Sequence, residues 1–563
     1  MIRYTFMKLW PSLQSRNETK IIRYTFVNLR PGYDHAISQY IIDIIDVMVA
    51  RVASVNGQAG LIDWDHYFTA VTWVDSQIIS VVWMNRAQNI SVITTCAPEG
   101  GYTCEVTHTE PSNHGWVDIY EAPIFSNDGQ DYLVRLPVRD GSEGYYKHVN
   151  LVSLRLRRIM PITHGAFEVT EILGWDQVNN YIYYMATMED KPSERHLFRV
   201  QDNSTPLLRH PECLSCLESD NITDTCLYSK AQLSPDYTYF ILECLGPEAP
   251  RIYLFSTWNN QLIYTLDDYS ELRERIAKKA MPQIRTFKVE LDEEYTAQVQ
   301  LFLPPGLREE EITTYPMVVS TYAAPGAQTV TSKFRLNWGT YLASKKDIIY
   351  AMIDARGSGF QGERIKHELY HNLGGKEVDD QLAVVKYLRD NLAFVDPKRI
   401  AIWGWSYGGY VTTMALFRDA DNVFACGIAV APVTRWEHYD SVYTERYMGS
   451  PQVYPGSNYK GYEAADATKV AGNLDGKMFL LIHGTADDNV HYQHSMMLAK
   501  ALVDEGVLFR QMTYADENHG LSGVKEHLYT TMNNFLADCY RPSVAEIHYF
   551  VKKKKDIEDI GYL

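Results

Sequence analysis

Residues 399–409 read Arg-Ile-Ala-Ile-Trp-Gly-Trp-Ser-Tyr-Gly-Gly, from Arg399 to Gly409. A short apolar run enters a turn of the form Gly-x-Ser-x-Gly centred on Ser406, and residues 410–417 continue with a helical pattern. A strand that breaks straight into a helix through so tight a turn has no room for side chains at its flanks, so Gly404 and Gly408 bracket the serine. The same turn lifts the hydroxyl above the end of a sheet, where it can attack a carbonyl. A glycine-rich turn with a capping serine is the plainer alternative; the strand before and the helix after favour a nucleophile.

Outward from this turn, apolar strands are expected at 317–320, 348–353, 400–403, 478–482 and 510–514. A helix is expected at 378–392, closed by Asp396-Pro397. Another at 525–538 carries Leu528, Met532, Phe535 and Leu536 on one face. This alternation predicts a mostly parallel sheet covered by helices on both sides. A serine becomes nucleophilic only when a histidine takes its proton and a carboxylate orients that histidine, here in the chain order Ser, acid, His. The acid is Asp487 or Asp488, after the strand at 478–482, and the residues alone do not choose between them. The base is His519, after the strand at 510–514. His483 precedes the acid and is expected to pack at the strand end, while His491 and His494 begin a helix and are expected at the surface. The oxyanion donors are the Tyr407 N–H and the loop Ser320-Thr-Tyr-Ala323, where a plain core tyrosine is the alternative for Tyr322.

The first half has a different grammar. Short strands are expected at 68–74, 78–84, 131–138, 181–186, 237–242 and 252–255, with turns such as Ser126-Asn-Asp-Gly129 and Ser234-Pro-Asp236. The units recur about every 40–60 residues, which suits propeller blades, with a β-sandwich as the alternative. Their number is about four, fewer than most closed propellers hold. The domains are therefore expected as a divergent segment 1–60, a partial propeller 61–266, a hydrolase domain 267–548 and a basic solvated tail 549–563. A net charge of −17 excludes nucleic acid as a partner. Eight cysteines and sequons at Asn17, Asn89, Asn203 and Asn221 favour an extracellular, oxidising setting over reduced thiols or a zinc site at Cys213-x-x-Cys216. No secretory leader is visible at the start, and Asp43, Asp46 and Arg51 break the most apolar early stretch, 36–55, so it is not a membrane span. No metal or other cofactor is expected.

The runs IAIWGWSYGGYV, GIAVAPVTRWEHYDSVYTERYMG, LIHGTADDNVHYQ and FRLNWGTYLAS closely resemble the dipeptidyl peptidase IV branch of the prolyl oligopeptidase family, over about residues 60–548. The resemblance implies an α/β-hydrolase domain joined to an eight-bladed propeller, and release of dipeptides after a penultimate proline or alanine. It implies Ser406 as nucleophile, Asp487 as acid and His519 as base, with Tyr322 and Tyr407 in the oxyanion hole. Val433, Trp436, Tyr439, Tyr443 and Val490 match the proline pocket, Asn489 the amide that binds a substrate carbonyl, and Tyr120 an aromatic of the outer subsites. Implied disulfides are Cys96–Cys104, Cys213–Cys216, Cys226–Cys244 and Cys426–Cys539; Asn89 matches a family sequon. Family members dimerise partly through the last hydrolase helix, here 525–538, and act at the cell surface or outside the cell on peptides with proline or alanine second.

The family's two adjacent glutamates, which hold the substrate ammonium, lie upstream of anything in this chain. About half the propeller, the membrane anchor and a cysteine pair near 146–156 have no counterpart either, and residues 30–56 do not match the dimerisation arm. The chain is thus expected to be an N-terminally truncated member whose dipeptidyl peptidase activity is impaired. A non-enzymatic binding or decoy protein is the alternative; silent relatives replace the serine that this chain keeps.

Overall fold

A computed structural model describes residues 66–541 apart from 99–102, 143, 203–208, 217–225, 293 and 475. The segment 1–60, the tail 549–563, Glu293 and the sequons at Asn17, Asn203 and Asn221 lie outside the described residues. The first half folds as four antiparallel meanders. They are β1–β4 (His66–Trp73, Ile79–Asn85, Ile90–Ala97, Thr103–Pro111) and β5–β8 (Ile124–Phe125, Asp131–Asp140, Gly144–Ser153, Arg158–Pro161). Next come β9–β12 (Val169–Asp176, Tyr181–Met188, Lys191–Gln201, Glu212–Cys213) and β13–β16 (Cys226–Leu233, Tyr239–Pro247, Arg251–Ser256, Leu262–Asp267). The last two meanders are joined by a parallel bridge from Arg195 to Tyr228. Each sheet has its strands in sequence order, as propeller blades do. The strand expected from residue 237 starts at Tyr239, because Tyr237 turns the chain at φ 58°.

In the second half, β17 (Gln283–Glu290), β18 (Thr296–Leu303), β19 (Tyr315–Thr321), β20 (Ile349–Asp354), β21 (Val395–Trp405), β22 (Cys426–Val430), β23 (Met478–Gly484) and β24 (Arg510–Tyr514) form one sheet. Its order is β17-β18-β20-β19-β21-β22-β23-β24, antiparallel only at β17 and β18. The principal helices are α1 (Trp338–Lys346), α2 (Lys376–Asn391), α3 (Tyr407–Arg418), α4 (Ser441–Met448), α5 (Gln493–Asp504) and α6 (Lys525–Cys539). Alternate strand residues feed opposite faces: Met317, Val319, Ile400 and Ile402 pack with α2, α3 and α5. Val318 and Ala401 pack with α1 and α6 on the other side. The apolar stripe of α6 is spent there, since Leu528, Met532, Phe535 and Leu536 are all buried. Each such side chain contributes about 1.5–3 kcal/mol of burial. A partner helix could meet α6 only on its opposite, polar side.

The four cysteine pairs Cys96–Cys104, Cys213–Cys216, Cys226–Cys244 and Cys426–Cys539 are disulfides. The last ties α6 to β22 and spans 113 residues. No helix among the described residues is long and apolar enough to cross a membrane.

The two halves are locked together by charge. The turn before β3 grips α4: Arg86 bonds Glu445 at 2.7 Å, and Gln88 accepts from Arg446 at 2.8 Å while donating to the Val442 carbonyl. Asn89 shares this turn, half-buried, its side-chain oxygen accepting from Asn85. Deeper in, Lys366 bonds Glu363 at 2.6 Å and reaches Asp118 of the first half at 3.3 Å.

Candidate active site

The expected serine sits where a chain reversal forces it. Ser406 has φ 61°, in the left-handed region that side chains disfavour, and α3 starts at the next residue. A Cβ at Gly404 would come within 2.2 Å of the Gly408 carbonyl oxygen, and one at Gly408 within 2.2 Å of the Thr321 oxygen. These contacts make both glycines obligatory. The Ser406 N–H bonds the Val430 carbonyl at 2.8 Å, pinning the elbow to β22. The first amides of α3 lack intrahelical acceptors, so the N–H of Tyr407 is open to an anion at this helix start. Tyr322 follows β19, 41% exposed, its ring 6.4 Å from that of Tyr407. Desolvation of its hydroxyl raises its pKa, so it stays a proton donor.

The loops after β23 and β24 bring Asp487 and His519 together, with His519 Nδ1 at 2.7 Å from Asp487 Oδ2. Asp487 is buried and Asp488 is exposed, so the geometry separates the two aspartates that sequence left equal. Oδ1 of Asp487 accepts from the backbone N–H groups of Asn489 and Val490, each at 3.0 Å. Burial alone would raise this carboxyl, but hydrogen bonds from His483 and His519 outweigh it and hold it well below the usual carboxylate range. Trp405 donates to the His519 carbonyl at 3.0 Å, fixing the His519 loop against the elbow.

Beside the serine stands an aromatic box. Trp436 is fully buried, stacked on Tyr443 at 6.0 Å and met edge-on by Tyr439 at 6.0 Å, with Tyr407 at 5.4 Å. Val433 and Val490 are buried close to this box. The Tyr439 hydroxyl donates to Asn489 Oδ1 at 2.7 Å, which leaves the amide nitrogen of Asn489 as a donor. Tyr120 reaches in from the propeller half and lies 5.3 Å from the Arg446 guanidinium. Asp440 caps α4 by accepting from the Tyr443 N–H.

Two histidines depart from expectation. His494 is 0% exposed, not at the surface, because α5 turns it onto the Thr434 N–H at 3.2 Å. His483 is buried as expected at its strand end, but it is bonded to Asp487 Oδ2 at 3.1 Å rather than simply packed. Glu377 was not singled out from sequence: in the first turn of a helix after Gly-Gly it reads as an ordinary exposed acid. It is 0% exposed, accepts the Tyr407 hydroxyl at 2.8 Å and the Gly374 N–H, and its second oxygen has no partner among the described residues. Burial pushes this carboxyl from 4.5 up to about 7. The native state therefore prefers the neutral form, and stability is complete below pH 4.5 and lost as pH rises through 7. The loss is on the order of 3 kcal/mol above pH 7, from the size of the shift. Glu377→Gln is expected to remove this slope, matching the parent in urea unfolding at acidic pH and exceeding it at alkaline pH.

The prolyl oligopeptidase family matches residues 333–543, and the N-terminal region of dipeptidyl peptidase IV matches residues 17–251. Dipeptidyl peptidase 4 of Sus scrofa is 40% identical over 492 residues, 86% of this chain and 62% of that protein. Prolyl endopeptidase FAP of Homo sapiens is 37% identical over 485 residues, 84% of this chain and 61% of that protein. The crystal structure of Porphyromonas gingivalis dipeptidyl peptidase 4 superposes with a TM-score of 0.76 at 29% identity, covering 85% of this chain and 64% of that one. The chain spans about three fifths of the length of the curated relatives it matches. A hydrolase sheet carrying a serine elbow, beside propeller meanders, defines the class of these matches. The chain belongs to the prolyl oligopeptidase family, in its dipeptidyl peptidase IV branch.

Proposed function

We propose that the chain is a serine peptidase that cleaves peptides after proline or alanine, with Ser406 as nucleophile, His519 as base and Asp487 orienting His519. The 2.7 Å bond from His519 Nδ1 to Asp487, at the same C-terminal end of the parallel strands as the Ser406 elbow, is the observation that carries this reading. Ser406 Oγ bonds the scissile carbonyl carbon as its proton passes to His519 Nε2, and the carbonyl oxygen takes charge facing the Tyr407 N–H and the Tyr322 hydroxyl. Collapse breaks the C–N bond, His519 returns the proton to the leaving amine, and water repeats the sequence on the ester. The flat proline ring suits the stacked faces of Trp436 and Tyr443.

The release of dipeptides requires carboxylates for the substrate's ammonium, each such bond contributing about 1.5–3 kcal/mol. The adjacent glutamates among the described residues lie in the hydrolase half, where Glu309 pairs with Arg285, Glu311 with Arg308 and Glu294 with Arg364. This polypeptide is therefore expected to turn over a Gly-Pro amide slowly. Four disulfides favour an oxidising compartment, and we place the chain outside the cell or at its surface.

A serine-directed phosphonate is expected to label the folded chain once, at Ser406, and Ser406→Ala to abolish labelling. Folded protein that stays unlabelled would overturn the peptidase reading in favour of a binding protein on this scaffold. Brisk, dipeptide-strict turnover by this polypeptide would overturn the impairment alone.

A further inference from the structure

We infer that His483 and Ser495 are positioning residues that extend the Ser406–His519–Asp487 set, His483 bonding the same Asp487 oxygen as His519. The inference rests on the peptidase reading and deepens it. His483 ends β23 and Ser495 lies in the first turn of α5, both fully enclosed. Nε2 of His483 lies 3.1 Å from Asp487 Oδ2 and 2.8 Å from the Val490 carbonyl oxygen. Both oxygens only accept, so this nitrogen carries a hydrogen and shares it between them. Nδ1 lies 2.7 Å from the Ser495 hydroxyl. That hydroxyl has no other partner among the described residues and donates to Nδ1, which leaves Nε2 as the N–H of the ring.

Asp487 Oδ2 thus receives two imidazole N–H groups, from His519 at 2.7 Å and His483 at 3.1 Å, while Oδ1 receives two backbone N–H groups at 3.0 Å. The carboxylate can neither rotate nor take up water without breaking one of these bonds. Its direction, and through it the ring plane of His519, is set by four donors rather than one. His483 also tempers the charge that His519 meets, because a carboxylate serving two imidazoles is a weaker partner for either. The other titratable groups facing His483 are His494, on α5, and Tyr492, whose ring meets it edge-on at 5.5 Å. Neither is bonded to Asp487.

The test is the rate of phosphonate labelling of Ser406 from pH 5 to 9 in the full chain and in His483→Phe, His483→Gln and Ser495→Ala. Phe keeps the ring volume and loses the donor; Gln keeps a donor toward Asp487. His483→Phe is expected to label about tenfold to a hundredfold more slowly, the range that misdirected catalytic groups show. The acidic limb of its profile is expected to move to higher pH, since Asp487 then bears on His519 alone. His483→Gln is expected to stay close to the parent in rate and limb, and Ser495→Ala to fall between. A folded His483→Phe with the parent's rate and limb, or a His483→Gln as slow as His483→Phe, would overturn the inference. Should His483→Phe not fold, Ser495→Ala with an unchanged limb decides against it and a shifted limb decides for it. A parent chain that does not label fails the peptidase reading instead, which keeps the two outcomes apart.

Discussion

Asp487→Asn is expected to slow phosphonate capture of Ser406 by roughly three to four orders of magnitude while leaving the fold intact. The size follows from which way the new amide must turn. Its oxygen can stay at the Oδ1 position and keep the Asn489 and Val490 N–H bonds, or face the two histidines and confront those N–H groups with an NH2. Backbone amides cannot give up their hydrogens, whereas imidazoles can change tautomer, so the NH2 faces His519. The Nδ1 of His519 then accepts instead of donating, its Nε2 carries the hydrogen, and it can no longer take the proton of Ser406. Stopped-flow labelling of parent and variant, with circular dichroism to confirm folding, measures this. A loss below tenfold would mean that Asp487 does not orient the base.

Lys366→Met is expected to destabilise the chain by about 3–5 kcal/mol, the cost of removing one partner from a buried ionic cluster. Lys366 is 5% exposed, under Trp116 at 5.6 Å, and it serves Glu363 and Asp118 together. Burial alone would lower its ammonium pKa, but Asp118, Glu363 and the buried Glu168 outweigh that and raise it. Lys147, at 2.5 Å from Asp118, cannot replace it at Glu363. The variant therefore leaves enclosed carboxylates facing one another between the two halves. Urea unfolding should show the midpoint fall, and adding Glu363→Gln should recover part of the loss. Equal loss in both variants would mean that the aliphatic stem of Lys366, rather than its charge, holds the interface.

Much of the hydrolase sheet was legible because its strands and helices obey simple periods. The strand expected at 510–514 is Arg510–Tyr514, and the helix expected at 525–538 is Lys525–Cys539. The strands β17 and β22 escaped for opposite reasons. β17 is exposed at nearly every position and gives little apolar signal, while β22 is five buried residues with no alternation. The meanders were legible from their turns, where Ser126 and Asp128 close one reversal and Ser234 and Asp236 another.

Ser406 and its two glycines were written in the chain itself, because backbone geometry within five residues decides who can stand there. The cysteine pairs and the pocket residues came through resemblance. His519 came the same way, as the base beside Asp487; His483 as a second partner of Asp487 did not. The two histidines around Asp487 stand four and 32 residues away, one at the end of β23 and one on the loop after β24, and the spacing His483-Gly-Thr-Ala-Asp487 belongs to no helix that would place them face to face. Only the packing of β23 beside β24, with α5 laid over them, brings one carboxylate between two imidazoles. The same holds for Glu377 and Lys366, whose charges read as surface until the fold encloses them. Local pattern chooses elements; which polar groups lose their water, and so need partners, is decided by what packs on top of them.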